Sequence, residues 1–133
     1  MSPDFSDLMG VPFVDGGRDP KAGLDCWGLL MEVCRRIGYD VPDFTVSCFD
    51  TSEIGEIARI EIVRRLEPAN TPAPGAVVTM ALDPEAPDEI QHFGVCINNR
   101  RFIHTTKETG VIKTMLSHRF WGRKIKGFYH WKK

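Results

Sequence analysis

The chain has 133 residues and a mass of 15.0 kDa, enough for one domain whose core buries roughly two-thirds of the surface an open chain exposes. With 42% hydrophobic and 26% charged residues it is not an intrinsically disordered chain, and 17 Lys and Arg against 18 Asp and Glu exclude a global positive field for nucleic acid. No apolar run approaches the ~20 residues of a membrane span. The opening Met1-Ser2-Pro3-Asp4-Phe5-Ser6-Asp7 lacks the basic and apolar regions of a signal peptide, so the expectation is synthesis in the cytoplasm with reduced thiols.

The first clear element follows Gly23. Leu24, Trp27, Leu30 or Met31, Cys34 and Ile37 recur at three- and four-residue intervals, which predicts a helix, with Asp25 as its cap and Gly38 as its stop. A second helix is predicted from Thr51 to Leu66, where Asp50 and Glu53 form a capping box and Ile54, Ile57, Ala58, Ile62 and Leu66 line one face. Pro68, Pro72, Pro74 and Gly75 then mark a connector.

After Gly75 the pattern becomes strand-like. Strands are predicted at Ala76 to Met80, His92 to Ile97, Arg101 to Thr106, Gly110 to Leu116 and Ile125 to Trp131, with a hairpin turn at Asn98-Asn99-Arg100 and an acidic, Pro-rich loop from Ala81 to Asp88. Helices first and about five antiparallel strands second is an α+β order, not an alternating βαβ one, and residues 1–133 read as one domain. The C-terminal stretch from Arg119 to Lys133 carries six cations and no acid. It reads either as a terminal strand with solvated lysines or as a contact with an anionic partner.

Cys26, Cys34, Cys48 and Cys96 have no CxxC spacing, so each is judged singly, as a core hydrophobe or as a nucleophile. Core packing is the default for Cys34, Cys48 and Cys96. Cys26 differs because it opens the first helix, where unpaired N–H groups and the positive end of the helix dipole stabilise a thiolate and can hold an oxyanion. A thiolate needs a base held in the right tautomer. If Asn98-Asn99 makes the turn, 94 pairs with 104 and 92 with 106, and His92 and His104 share one face of adjacent strands. Cys26, His92 and His104 then supply nucleophile, base and orienter. The bland alternatives are a buried cysteine and two ordinary strand histidines. A zinc site from Cys26, His92, Cys96 and His104 is disfavoured because His92 and Cys96 stand about 13 Å apart along one strand; no metal and no cofactor is expected.

Several blocks in series resemble the NlpC/P60 family. They are Phe13-Val14-Asp15-Gly16-Gly17, Leu24-Asp25-Cys26-Trp27-Gly28-Leu29, Pro74-Gly75-Ala76-Val77-Val78, His92-Phe93-Gly94-Val95, Phe102-Ile103-His104 and Gly110-Val111. The Asp-Cys-Trp-Gly-Leu wording, the Gly16-Gly17-Arg18-Asp19-Pro20 lead-in and the Ile125-Lys126-Gly127-Phe128-Tyr129 ending are most similar to the version carried by phage and prophage tail-tip proteins.

The resemblance implies a papain-like fold and a cysteine peptidase of peptidoglycan stem peptides, cutting between D-glutamate and diaminopimelate or lysine. It aligns the nucleophile with Cys26, the base with His92 and the third polar residue with His104. It also places Phe13 (usually tyrosine), Asp25 and Trp27 (commonly serine) near the substrate, with Asp25 as partner for an ammonium group or simply as helix cap. Ala76 replaces a usual aspartate. The expected partners are murein stem peptides and phage tail-tip proteins, and the expected location is a virion tail. The alternatives are a tail-assembly component that keeps the fold without hydrolysis, and an amidase of the same superfamily acting on another amide.

Overall fold

The computed structural model describes residues 5–41, 60, 64, 66–87 and 90–131. Within them come a 3-10 turn at Ser6–Leu8, a two-stranded ribbon (β1 Arg18–Asp19 and β2 Gly23–Leu24) and the helix α1 over Cys26–Ile37. The strands β3 Leu66–Ala69, β4 Val77–Met80, β5 His92–Cys96, β6 Arg101–Thr106, β7 Gly110–Met115 and β8 Ile125–Trp131 follow, with a second 3-10 turn, Trp121–Lys124, leading into β8.

The helix is bounded by its end residues as the periodicity predicts. Asp25 is extended and its side chain accepts the Gly28 N–H, while Gly38 closes the last turn at φ 111°, a left-handed conformation that glycine adopts without steric cost. Trp27, Leu29, Leu30, Val33 and Cys34 are buried. Glu32 is buried too, and Arg35 and Arg36 hold its carboxylate at 2.6 and 2.7 Å. Arg36 also reaches Asp7 through two hydrogen bonds, which ties the N-terminal turn to the helix.

The main sheet has six strands in the order β3-β8-β4-β5-β6-β7, every neighbouring pair antiparallel. That is one strand more than the sequence predicts. Pro68 and Ala69, read above as connector, belong to β3, where Leu66 lies opposite Trp131 and Ala69 opposite Phe128. β3 is an edge strand, and an edge tolerates proline because half of its N–H groups have no ladder partner to lose. Of the second helix expected over Thr51 to Leu66, residues 51–59, 61–63 and 65 lie outside the described residues; Ile60 and Arg64 are helical, and Leu66 already belongs to β3. The hairpin turn forms where predicted, with the Asn98 side chain accepting the Arg100 and Arg101 N–H groups, each at 2.8 Å.

Alternation along the strands gives the sheet two buried faces. One carries Leu66, Val77, Phe93, Val95, Ile103, Val111 and Trp131 and packs with α1. The other carries Val78, Met80, Cys96 and Phe102, with Ile125 and Phe128 of β8 beside them, and packs against Leu116 and Trp121. Burial on both faces accounts for the nearly continuous apolar run of β4 and for β5 having no exposed position.

Candidate active site

Cys26 is the first residue of α1 and is 6% exposed. The turn that holds it is built from the residues around it. The Asp25 carboxylate accepts from Gly28 N at 2.8 Å, from Gly16 N at 2.9 Å and from the Arg18 guanidinium at 2.6 Å. Arg18 also donates to the Gly17 carbonyl at 2.9 Å, so the Gly16–Arg18 segment folds back over the first turn of the helix. A Cβ at position 28 would stand 2.1 Å from the Gly17 carbonyl oxygen. The glycine two places after the cysteine is therefore a requirement of close backbone approach.

Asp25 has no exposed surface. With three donors on its carboxylate it serves as cap and ion-pair partner, and it offers no face to a substrate ammonium, the other role the sequence left open for it. Trp27 is 7% exposed and packs edge-on against Phe93, ring centroids 6.0 Å apart, so it belongs to the core between helix and sheet. Phe13 is half-buried and forms a parallel bridge with Leu24, which lies two residues before Cys26.

The two histidines meet. His92 Nε2 lies 2.9 Å from His104 Nδ1, both side chains buried. The register that brings them together, Val95 opposite Ile103 and Cys96 opposite Phe102, is the one counted from the Asn98-Asn99 turn. Gly94 makes room for the pair. A Cβ there would lie 2.7 Å from the Phe102 ring, and Phe102 lies against His104 at 4.8 Å between centroids.

Two neighbours of this pair were not read from the sequence. Thr114 Oγ1 stands 2.9 Å from His104 Nε2, and the ring of Trp121 lies over both histidines, 4.5 Å from His104 and 5.6 Å from His92. The signal for Thr114 was its strand position: it lies opposite Phe102, two places from Ile112, which pairs with His104. Trp121 carries no such signal, because a short 3-10 turn presents it. His118 shapes that turn through its Nδ1, which accepts the Phe120 and Trp121 N–H groups.

Burial sets the protonation of the histidines. It pushes His92 down to about 4, and burial, with the neighbouring His92 and His118, pushes His104 down to about 3. Both rings are neutral at pH 7. Burial likewise pushes the Cys34 and Cys96 thiols up to about 12, so these two remain protonated core residues. Cys48 lies outside the described residues.

His92 pairs across the sheet with Met80, and so points to the face shared with Phe102 and Trp121. Cys26 belongs to the apolar cluster on the α1 side. His92 is the first residue of β5, at the rim of the sheet.

The profile of the NlpC/P60 family matches residues 10–130. Among solved structures, NlpC2 from Trichomonas vaginalis superposes with a TM-score of 0.66 at 20% identity, over 96% of this chain and 44% of that one. A protein from Staphylococcus aureus subsp. aureus Mu50, described as similar to lipoprotein of the NLP/P60 family, superposes with a TM-score of 0.58 at 19% identity, over 98% of this chain and 43% of that one. The chain thus spans less than half the length of these structures, and at such identities the likeness shows the fold. No curated protein sequence matches the chain.

Proposed function

Because the chain belongs to the NlpC/P60 family, we propose that it is a cysteine peptidase of murein stem peptides, with Cys26 as nucleophile, His92 as base and His104 as the residue that orients the base. The observation that carries this reading is the buried 2.9 Å contact between His92 Nε2 and His104 Nδ1 beside a helix that begins with a cysteine. The finer reading is hydrolysis between D-glutamate and diaminopimelate or lysine, in a phage or prophage tail tip. Its support is the wording of the Asp25-Cys26-Trp27-Gly28-Leu29 block and the Ile125–Tyr129 ending.

In this reading Nε2 of His92 is occupied by His104, so Nδ1 is the nitrogen that serves Cys26. Burial favours the neutral form of the His92 ring, which suits it to act as a general base toward Cys26. Thiol and imidazole come from opposite faces of the sheet, and the proposed encounter is at the rim where β5 begins. His92 Nδ1 takes the thiol proton as sulfur attacks the scissile carbonyl, and the N–H groups at the start of α1 hold the oxyanion. The same nitrogen protonates the leaving amine, and water then hydrolyses the thioester.

The test is liquid chromatography and mass spectrometry of purified murein and defined stem peptides after incubation with the protein. A new N-terminal diaminopimelate or lysine supports the proposed bond. Cleavage at another amide supports the amidase alternative, and no product from any of these substrates favours the tail-assembly role without hydrolysis.

A further inference from the structure

We propose that Thr114 is a positioning residue whose hydroxyl oxygen, acting through His104, decides which nitrogen of His92 carries the proton. The inference rests on the reading of His92 as base. Its geometry is a chain of three buried groups: His92 Nε2 to His104 Nδ1 at 2.9 Å, and His104 Nε2 to Thr114 Oγ1 at 2.9 Å. His104 is 0% and Thr114 6% exposed, so bulk water does not replace a partner lost from this chain.

Two neutral imidazoles in series can be ordered in two ways. In the first, His92 Nε2–H donates to His104 Nδ1, His104 Nε2–H donates to Thr114 Oγ1, and His92 Nδ1 is left as a lone pair. In the second, the Thr114 hydroxyl donates to His104 Nε2, His104 Nδ1–H donates to His92 Nε2, and the proton of His92 sits on Nδ1. Only the first leaves His92 able to take a proton from the Cys26 thiol. It exists only if something accepts from His104 Nε2–H, and Thr114 Oγ1 is the acceptor placed there.

The same oxygen serves the charged state. When His92 Nδ1 takes the thiol proton, the ring becomes a cation that donates Nε2–H to His104. If that proton shifts across the 2.9 Å contact, the charge rests on His104, whose Nε2–H still donates to Thr114. Nothing leaves the chain at Thr114, and the proton taken from sulfur returns through His92 Nδ1 to the leaving amine.

Removing the hydroxyl leaves a buried N–H facing a methyl group, which favours moving the His104 proton to Nδ1 and, in consequence, the His92 proton to the wrong nitrogen. The experiment is side-chain 15N NMR of the histidines in the full chain, with steady-state kinetics on a stem peptide. The native protein is expected to carry Nε2–H on both rings. Thr114→Val, which keeps the shape, is expected to lower kcat by about 10- to 100-fold with KM little changed, and to move the His92 proton to Nδ1; Thr114→Ser restores both. A native His92 protonated on Nδ1, or a folded Thr114→Val with native kcat and native tautomers, overturns the proposal. Should Thr114→Val not fold, the native tautomer and that of Thr114→Ser decide it. Should the native protein cleave no stem peptide while Thr114→Val still shifts the tautomer, the chain stands and the peptidase reading falls.

Discussion

His92 and His104 face each other nitrogen to nitrogen at 2.9 Å across adjacent strands, 12 residues apart in sequence. The contact exists because an Asn98 turn sets the register of β5 and β6 and Gly94 leaves space for Phe102 beside it. It occupies Nε2 of His92, and in the proposed mechanism Nδ1 is the nitrogen left for Cys26.

Removing either ring has unequal consequences. His92→Ala is expected to lower kcat by at least about 100-fold, the usual worth of a positioned general base. His104→Ala is expected to lower it by a smaller factor, because it removes the orienting contact and leaves the base. Steady-state kinetics on one stem peptide check the ranking; equal activity in His92→Ala and the native protein contradicts it.

Stability is expected to fall as the medium is acidified. A histidine whose folded value, about 4 for His92 and about 3 for His104, lies below the ordinary 6.5 binds its proton more readily in the unfolded chain. The unfolded state therefore takes up protons as pH falls through about 6.5, and the native state loses stability until it too protonates. From pH 7 to pH 4.5 each ring is expected to account for a loss on the order of 2 kcal/mol, roughly 4–5 kcal/mol for the pair. Urea unfolding at the two pH values measures it, and the slope should shrink in His104→Phe.

Gly28→Ala reverses a familiar rule. In an unobstructed helix the change is worth about 1 kcal/mol of stabilisation. Here the added Cβ would stand 2.1 Å from the Gly17 carbonyl oxygen, so the Gly16–Arg18 segment must lift off and release Asp25 from Arg18 and Gly16. A net loss of about 1–3 kcal/mol is expected. Thermal unfolding gives the sign, and a raised Tm contradicts the packing described.

The three described thiols should separate by reactivity. Cys34 and Cys96 have no exposed surface and are pushed up to about 12 by burial, so iodoacetamide should leave them unmodified in the native protein. Peptide mass spectrometry after brief alkylation should find Cys26 modified ahead of both. Labelling of Cys34 or Cys96 at the rate of Cys26 would contradict the assignment of a single reactive cysteine.

Local rules made much of the site readable. Asp25 and Gly38 bound α1, and turn chemistry at Asn98 with period-two alternation is enough to put His92 beside His104. What escaped depended on long-range packing. β3 escaped because Pro68 signals a break, and only its place at the edge beside β8 makes it a strand. Thr114 escaped because a threonine in a strand is unremarkable until the strand's neighbour is known, and Trp121 because nothing local aims a 3-10 turn at a histidine pair. Asp25 shows the reverse: sequence allowed two roles, and complete burial against Arg18, Gly16 and Gly28 leaves the cap.

The most direct measurement of the central claim sets the native protein beside Cys26→Ala on one defined stem peptide, with products read by mass spectrometry and folding checked by circular dichroism. The account predicts a cleaved peptide with the native protein and none with the folded variant. Equal cleavage by the two would contradict Cys26 as nucleophile.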